Sequence, residues 1–70
     1  MSTFIERLFV EQHELVEKVD KLAAFFETDL FKNLDETNKS LLEIQYAAMK
    51  TYEKCLQKRL QLLTADIDLG

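Results

Sequence analysis

The chain has 70 residues, 47% of them hydrophobic, with one cysteine, no proline and a formal net charge of −4. That composition excludes a disordered or low-complexity segment, and the lone Cys55 excludes an internal disulfide. The acidic balance argues against duplex nucleic acid or an anionic membrane as partner.

Taken in order, Ser2 or Thr3 can cap a first helix, with Glu6 placed to close a capping box from Thr3. Ile5, Leu8, Gln12, Leu15, Val19, Leu22 and Phe26 then repeat in alternating steps of three and four, the seam of a helical hairpin with one polar interruption. Phe9, Val16 and Ala23 run beside that seam, and Phe4, Val10 and Phe25 lie further round. The apolar sector is therefore wider than one partner helix covers. A domain this small buries roughly 60% of its unfolded surface and commonly leans on disulfides, metal or oligomerisation. His13 is the only histidine, and no Cys or His pair has metal-ligand spacing. Assembly of copies is what remains, and no metal or other cofactor is expected.

Residues 28–35, TDLFKNLD, break the period. Thr28 or Asp29 can cap a short turn, with Leu30, Phe31 and Leu34 plugging the open end of the hairpin. Asp35 suits the N-cap of a second helix, and Glu36 its positive dipole end. That helix runs over about residues 36–64, against about 3–27 for the first, and residues 65–70 are expected to fray. The expected architecture is all-α: one domain, an antiparallel two-helix hairpin assembling into a homo-oligomeric bundle, as homodimer or homotetramer.

On the second helix Leu42, Gln45, Met49, Tyr52, Leu56, Arg59 and Leu63 share a line. This places Gln45, Tyr52 and Arg59 in the apolar face two turns apart, where a buried polar group must find a partner. Cys55 is expected on the inner face as a buried thiol, consistent with a cytosolic protein. Arg59 either pairs with Glu11 or Glu6 of the facing helix or forks onto a phosphate or carboxylate. Tyr52 either packs with its hydroxyl at the edge or offers a platform for a base. Gln45 either bonds its mate across a two-fold axis or reads a base edge. Lys50, Lys54 and Lys58 form a stripe that reads first as a wet face.

Charge is unevenly spread. Residues 1–28 carry a net of −3 and residues 36–63 a net of +2, so the second helix holds the local surplus of cations. Catalysis has little support. The only glycine is Gly70, so glycine-rich phosphate loops are excluded; His13 with Glu17 has no nucleophile beside it. No leader-like run follows the N-terminus, and no stretch approaches the ~20 apolar residues of a membrane span.

The runs FIERLFVEQHELVEKVDKLAAFF and DLFKNLDETNKSLLEIQYAAMKTYEKCLQKRL resemble a widespread family of very short phage accessory proteins found in crAss-like and many other tailed phages. The match covers about residues 3–63. Its most specific part is the spacing Leu41-Leu42, Gln45, Ala48-Met49, Tyr52, Leu56, Arg59. Before it come Arg7-Leu8, Glu14-Leu15, Lys18, Lys21-Leu22, Phe25, Phe31 and Leu34. The resemblance implies a phage-encoded, non-structural protein acting in the host cytoplasm. Small helical phage proteins of this kind include anti-CBASS sponges, which sequester cyclic oligonucleotide signals of bacterial immunity.

Two functions follow as expectations. The first is a non-enzymatic sponge for a cyclic dinucleotide such as 3′,3′-cyclic GMP–AMP. An isologous interface presents Arg59 and Tyr52 twice about an axis, matching a nearly two-fold ligand. Gln45, Lys18, Lys21 and Lys54 would line the rim. The second is an acidic helical inhibitor of a host defence protein, of the anti-CRISPR or anti-restriction type. Its acidic first helix and wide apolar face would then form the partner surface.

Overall fold

A computed structural model describes residues 3–65. Three helices follow one another: α1 over Phe4–Phe25, α2 over Asp29–Lys32 and α3 over Glu36–Ala65. The N-terminus of α1 is fixed by Thr3, whose Oγ1 accepts from the Glu6 backbone N–H at 3.0 Å. Without a glycine available for a left-handed cap, α1 ends through a chain of tight turns. Thr28 supplies both halves of the break: its hydroxyl donates to the Phe25 carbonyl at 2.6 Å and accepts from the Phe31 N–H at 3.2 Å. Asp35 starts α3 in the same way, its Oδ1 accepting from the Asn38 backbone N–H at 3.4 Å and also from the Asn38 side chain at 2.6 Å. The connector is thus ordered by side-chain-to-backbone bonds rather than by glycine or proline.

The two long helices pack antiparallel, as a hairpin 51 Å long and 20 Å across. Along α1 the seam is Ile5, Leu8, Gln12, Leu15, Val19, Leu22 and Phe26, all buried or half-buried. Among the described residues only Leu8, Leu56 and Leu60 are buried, Leu56 completely, with Ile5 and Leu15 packed against them. At the connector end aromatic rings do the packing. Phe26 lies edge-on to Phe31 at 4.8 Å and to Tyr46 at 5.2 Å, and Phe25 to Phe31 at 6.0 Å. Leu34 and Phe31 close this end, but Leu30 does not: it stands 71% exposed. In a turn as short as α2 the side chains diverge, so three consecutive apolar residues cannot all point inward.

The seam of α3 differs from the one its period suggests. Leu42, Tyr46, Met49, Glu53, Leu56 and Leu60 face α1, and Gln45, Tyr52 and Arg59 are exposed beside them. Both lines share Leu42, Met49 and Leu56, and differ by one residue at each intervening step. Energetics decide between them. Rotating Leu60 in and Arg59 out, and Tyr46 in and Gln45 out, keeps a guanidinium and an amide in water. The polar residue this brings into the seam, Glu53, meets the polar interruption of α1: Gln12 Nε2 donates to its Oε1 at 2.8 Å. Cys55 is likewise exposed rather than buried. No helix among the described residues is long and apolar enough to cross a membrane.

Candidate functional site

One flank of the hairpin gathers most of the polar residues the sequence singles out. Tyr52 lies opposite Glu11, and its hydroxyl donates to the Glu11 carboxylate. Two turns toward the open end, Arg59 lies over the ring of Phe4, its guanidinium carbon 6.0 Å from the ring centre. Phe4 precedes Glu11 by the interval that separates Arg59 from Tyr52, so the two contacts are successive rungs of one antiparallel ladder. Two turns the other way the same ladder sets Lys18 level with Gln45, both exposed. The flank therefore reads Phe4–Arg59, Glu11–Tyr52, Lys18–Gln45, with rungs about 10 Å apart.

Arg59, Phe4, Leu62 and Leu63 line a shallow cleft of about 340 Å³. Among the described residues no carboxylate approaches Arg59 within ion-pair distance; the recorded ion pairs are His13–Glu17 and Lys39–Glu36. Glu11, one of the partners foreseen for Arg59, is taken by Tyr52 instead. The exposed guanidinium borders an apolar cleft, over an aromatic face that favours a cation. The Glu11 carboxylate holds the Tyr52 phenol above its ordinary range, chiefly by accepting its hydrogen bond, with Arg59 acting weakly in the opposite direction. Tyr52 is 46% exposed.

The lysines foreseen at the rim separate. Lys18 belongs to the flank. Lys21 lies about 60° further round α1 than Lys18, on the side away from α3, because three residues fall that far short of a full turn. Lys54 stands about half a turn round α3 from both Tyr52 and Arg59, on the solvated side with Lys50 and Lys58. Lys50 is engaged there, its Nζ 5.0 Å from the centre of the Tyr46 ring. His13 sits 3.3 Å from Glu17 on the outer face, both well exposed. Two features were not singled out in the sequence: the service of Phe4 as the aromatic floor under Arg59, and a second cleft of about 320 Å³ on the opposite flank. Phe9, Gln12, Gln57, Leu60, Gln61 and Thr64 line the latter. The Gln57–Gln61 spacing of four, level with an off-seam Phe9, was its available signal.

Among the described residues the fold is a short all-α hairpin with a thin core, in which an arginine with no carboxylate at ion-pair distance borders an apolar cleft. The chain belongs to the Sequestin family, whose description matches residues 2–62. It is also 32% identical over 60 residues to an uncharacterized 7.5 kDa protein from the denB–rIIB intergenic region of Enterobacteria phage T4. That alignment covers 86% of this chain and 94% of the phage protein. The family is thus one of short phage proteins. No solved structure matches the chain significantly.

Proposed function

We propose that the protein is a phage counter-defence sponge, which binds a cyclic nucleotide signal of bacterial immunity in the host cytoplasm and withholds it without turnover. Cyclic dinucleotides such as 3′,3′-cyclic GMP–AMP are the reference ligands. The observation that carries the reading is Arg59, a guanidinium held over Phe4 at the lip of an apolar cleft, with no carboxylate among the described residues to satisfy it. A guanidinium in that setting forks onto a phosphate, through charge-assisted bonds about twice as strong as neutral ones. The exposed rings of Phe4 and Tyr52 offer stacking surfaces, each worth about 1–3 kcal/mol per base in nucleotide-binding proteins. Gln45 and Lys18 stand on the same flank to bond a base edge and a second phosphate.

The family name supports the reading, since it speaks of sequestering, and so does the phage relative. Sequestration asks only for affinity. A Kd near 1 μM corresponds to about −8 kcal/mol, within reach of one phosphate fork and two stacked bases after the entropy of capture is subtracted. The ligand site is taken to lie at a subunit interface, because the cleft on one chain is shallow and open.

Calorimetric titration with a panel of cyclic di- and trinucleotides, alongside their linear counterparts, tests the proposal. Saturable binding of at least one cyclic nucleotide at micromolar concentration or below is expected, weakened at least tenfold in Arg59→Ala. An absence of heat and of thermal stabilisation across the panel at tens of micromolar would overturn it.

A further inference from the structure

We propose that α3 docks on the α3 of a second copy, antiparallel and about a two-fold axis, and that this pairing completes the nucleotide site; the inference rests on the sponge reading for its ligand but not for its interface. The chain exposes 5582 Å² of surface, whereas a compact monomer of its 8.2 kDa mass exposes about 4500 Å². The excess of about 1000 Å² matches the roughly 800 Å² that one partner gives to a standard specific interface. The exposed large apolar side chains of α3 include Leu41, Ile44 and Leu62, at 57%, 65% and 64%.

The pattern of that face identifies its occupant. Leu41, Ala48, Cys55 and Leu62 recur every seven residues, all exposed and all off the seam with α1. A strict heptad is the spacing by which one helix presents a continuous stripe to another. Its order is large, small, small, large, and therefore reads the same in both directions about the point between Thr51 and Tyr52. An isologous contact requires such self-complementarity. Turned antiparallel, Leu41 meets the partner's Leu62 and Ala48 meets the partner's Cys55, the small pair letting the helices approach closely at the axis. On α1 the seven-residue line off the seam, Phe9, Val16 and Ala23, stands exposed only at Phe9, so α1 offers the stripe no continuous match. Lys50 and Lys54 point away from the stripe and stay solvated.

This pairing also decides what the site contains. Gln45, Tyr52 and Arg59 lie in the corner of α3 between α1 and the stripe. In the antiparallel register Tyr52 meets the partner's Tyr52 on the axis, and Arg59 comes level with the partner's Gln45 and the partner's Lys18. One chain then supplies the guanidinium and its aromatic floor, and the other supplies the amide and the second cation. Two such clusters, about 20 Å apart along the helices, flank the central phenols in a channel floored by the α3 pair and walled by the two α1 helices.

Cross-linking tests the register without any nucleotide. In the native chain Cys55 lies about 10 Å along the axis from the partner's Cys55, beyond disulfide reach. In Ala48→Cys the new thiol faces the partner's Cys55. Mild oxidation should therefore link Ala48→Cys into covalent dimers, with positions 48 and 55 joined in peptide mapping, and should leave the native chain unlinked. Leu41→Glu with Leu62→Glu, both exposed in the single chain, should stay helical by circular dichroism yet sediment as one copy. Linking of the native chain through Cys55, failure of Ala48→Cys to link, or an unchanged copy number in the glutamate variant would each overturn the interface. A linked dimer that ignores cyclic GMP–AMP and its relatives would overturn the ligand while leaving the interface standing.

Discussion

The Tyr52 hydroxyl donates its hydrogen bond to the Glu11 carboxylate, locking α1 to α3 at the middle rung of the flank that also carries Arg59. The carboxylate stabilises the protonated phenol and raises its pKa above the ordinary value of 10.0. A raised folded-state value contributes stability that is complete below the unfolded pKa and is lost as pH rises through the folded one. Ultraviolet titration of the native chain, compared with Tyr52→Phe to isolate Tyr46, should show Tyr52 ionising above pH 10. In Glu11→Gln its midpoint should fall. A Tyr52 midpoint unmoved by Glu11→Gln would contradict the bond.

Leu56 is fully buried in a core whose other buried residues, among those described, are Leu8 and Leu60. Leu56→Ala removes its packing and leaves a cavity, at a cost of about 2–5 kcal/mol. In a domain of this size each kcal/mol moves the melting temperature by about 4–8 °C, so the variant should be largely unfolded at 37 °C in thermal circular dichroism. Leu30→Ala, at an exposed position, should stay within about 0.5 kcal/mol of the parent.

Among the described residues the Gln12–Glu53 bond is the polar contact inside the seam, and a double-mutant cycle measures it. Glu53→Leu alone strands the half-buried Gln12 amide and Gln12→Leu alone strands the Glu53 carboxylate, and each should cost about 1–3 kcal/mol by chemical denaturation. Gln12→Leu with Glu53→Leu together should recover most of that loss, because both polar groups leave at once. Additive losses in the double variant would mean the two side chains do not act as a pair.

These residues also show what the sequence makes legible. The α1 seam could be read directly, since Ile5, Leu8, Leu15, Val19 and Leu22 admit only one inward face. On α3 the shared anchors Leu42, Met49 and Leu56 fit two lines equally well. Choosing between Tyr52 and Glu53 requires knowing that Gln12 waits on the facing helix, a tertiary fact no period contains. Cys55 followed the same one-residue rotation out to the surface. Tyr52, Arg59 and Gln45 still share one line, so the candidate site was legible as a set of residues but not as a location. Lys54 was misgrouped because nearness in sequence does not set direction on a helix.

Arg59 and Phe4 separate charge from packing at the cleft. Arg59→Ala should weaken cyclic nucleotide binding by about tenfold or more, the loss of a charge-assisted fork. Arg59→Lys should recover part of it as a point charge without the fork. Neither change should alter copy number by sedimentation, because Arg59 borders the proposed interface without forming its stripe. Equal binding by all three chains would remove Arg59 from the site.

Native mass spectrometry of the full chain, with and without cyclic GMP–AMP and related cyclic nucleotides, tests the central claim most directly, since it reports copy number and bound ligand together. The account predicts an even-numbered assembly that gains the mass of a cyclic nucleotide and keeps its copy number. A single-copy species at micromolar concentration that takes up none of the panel would contradict it.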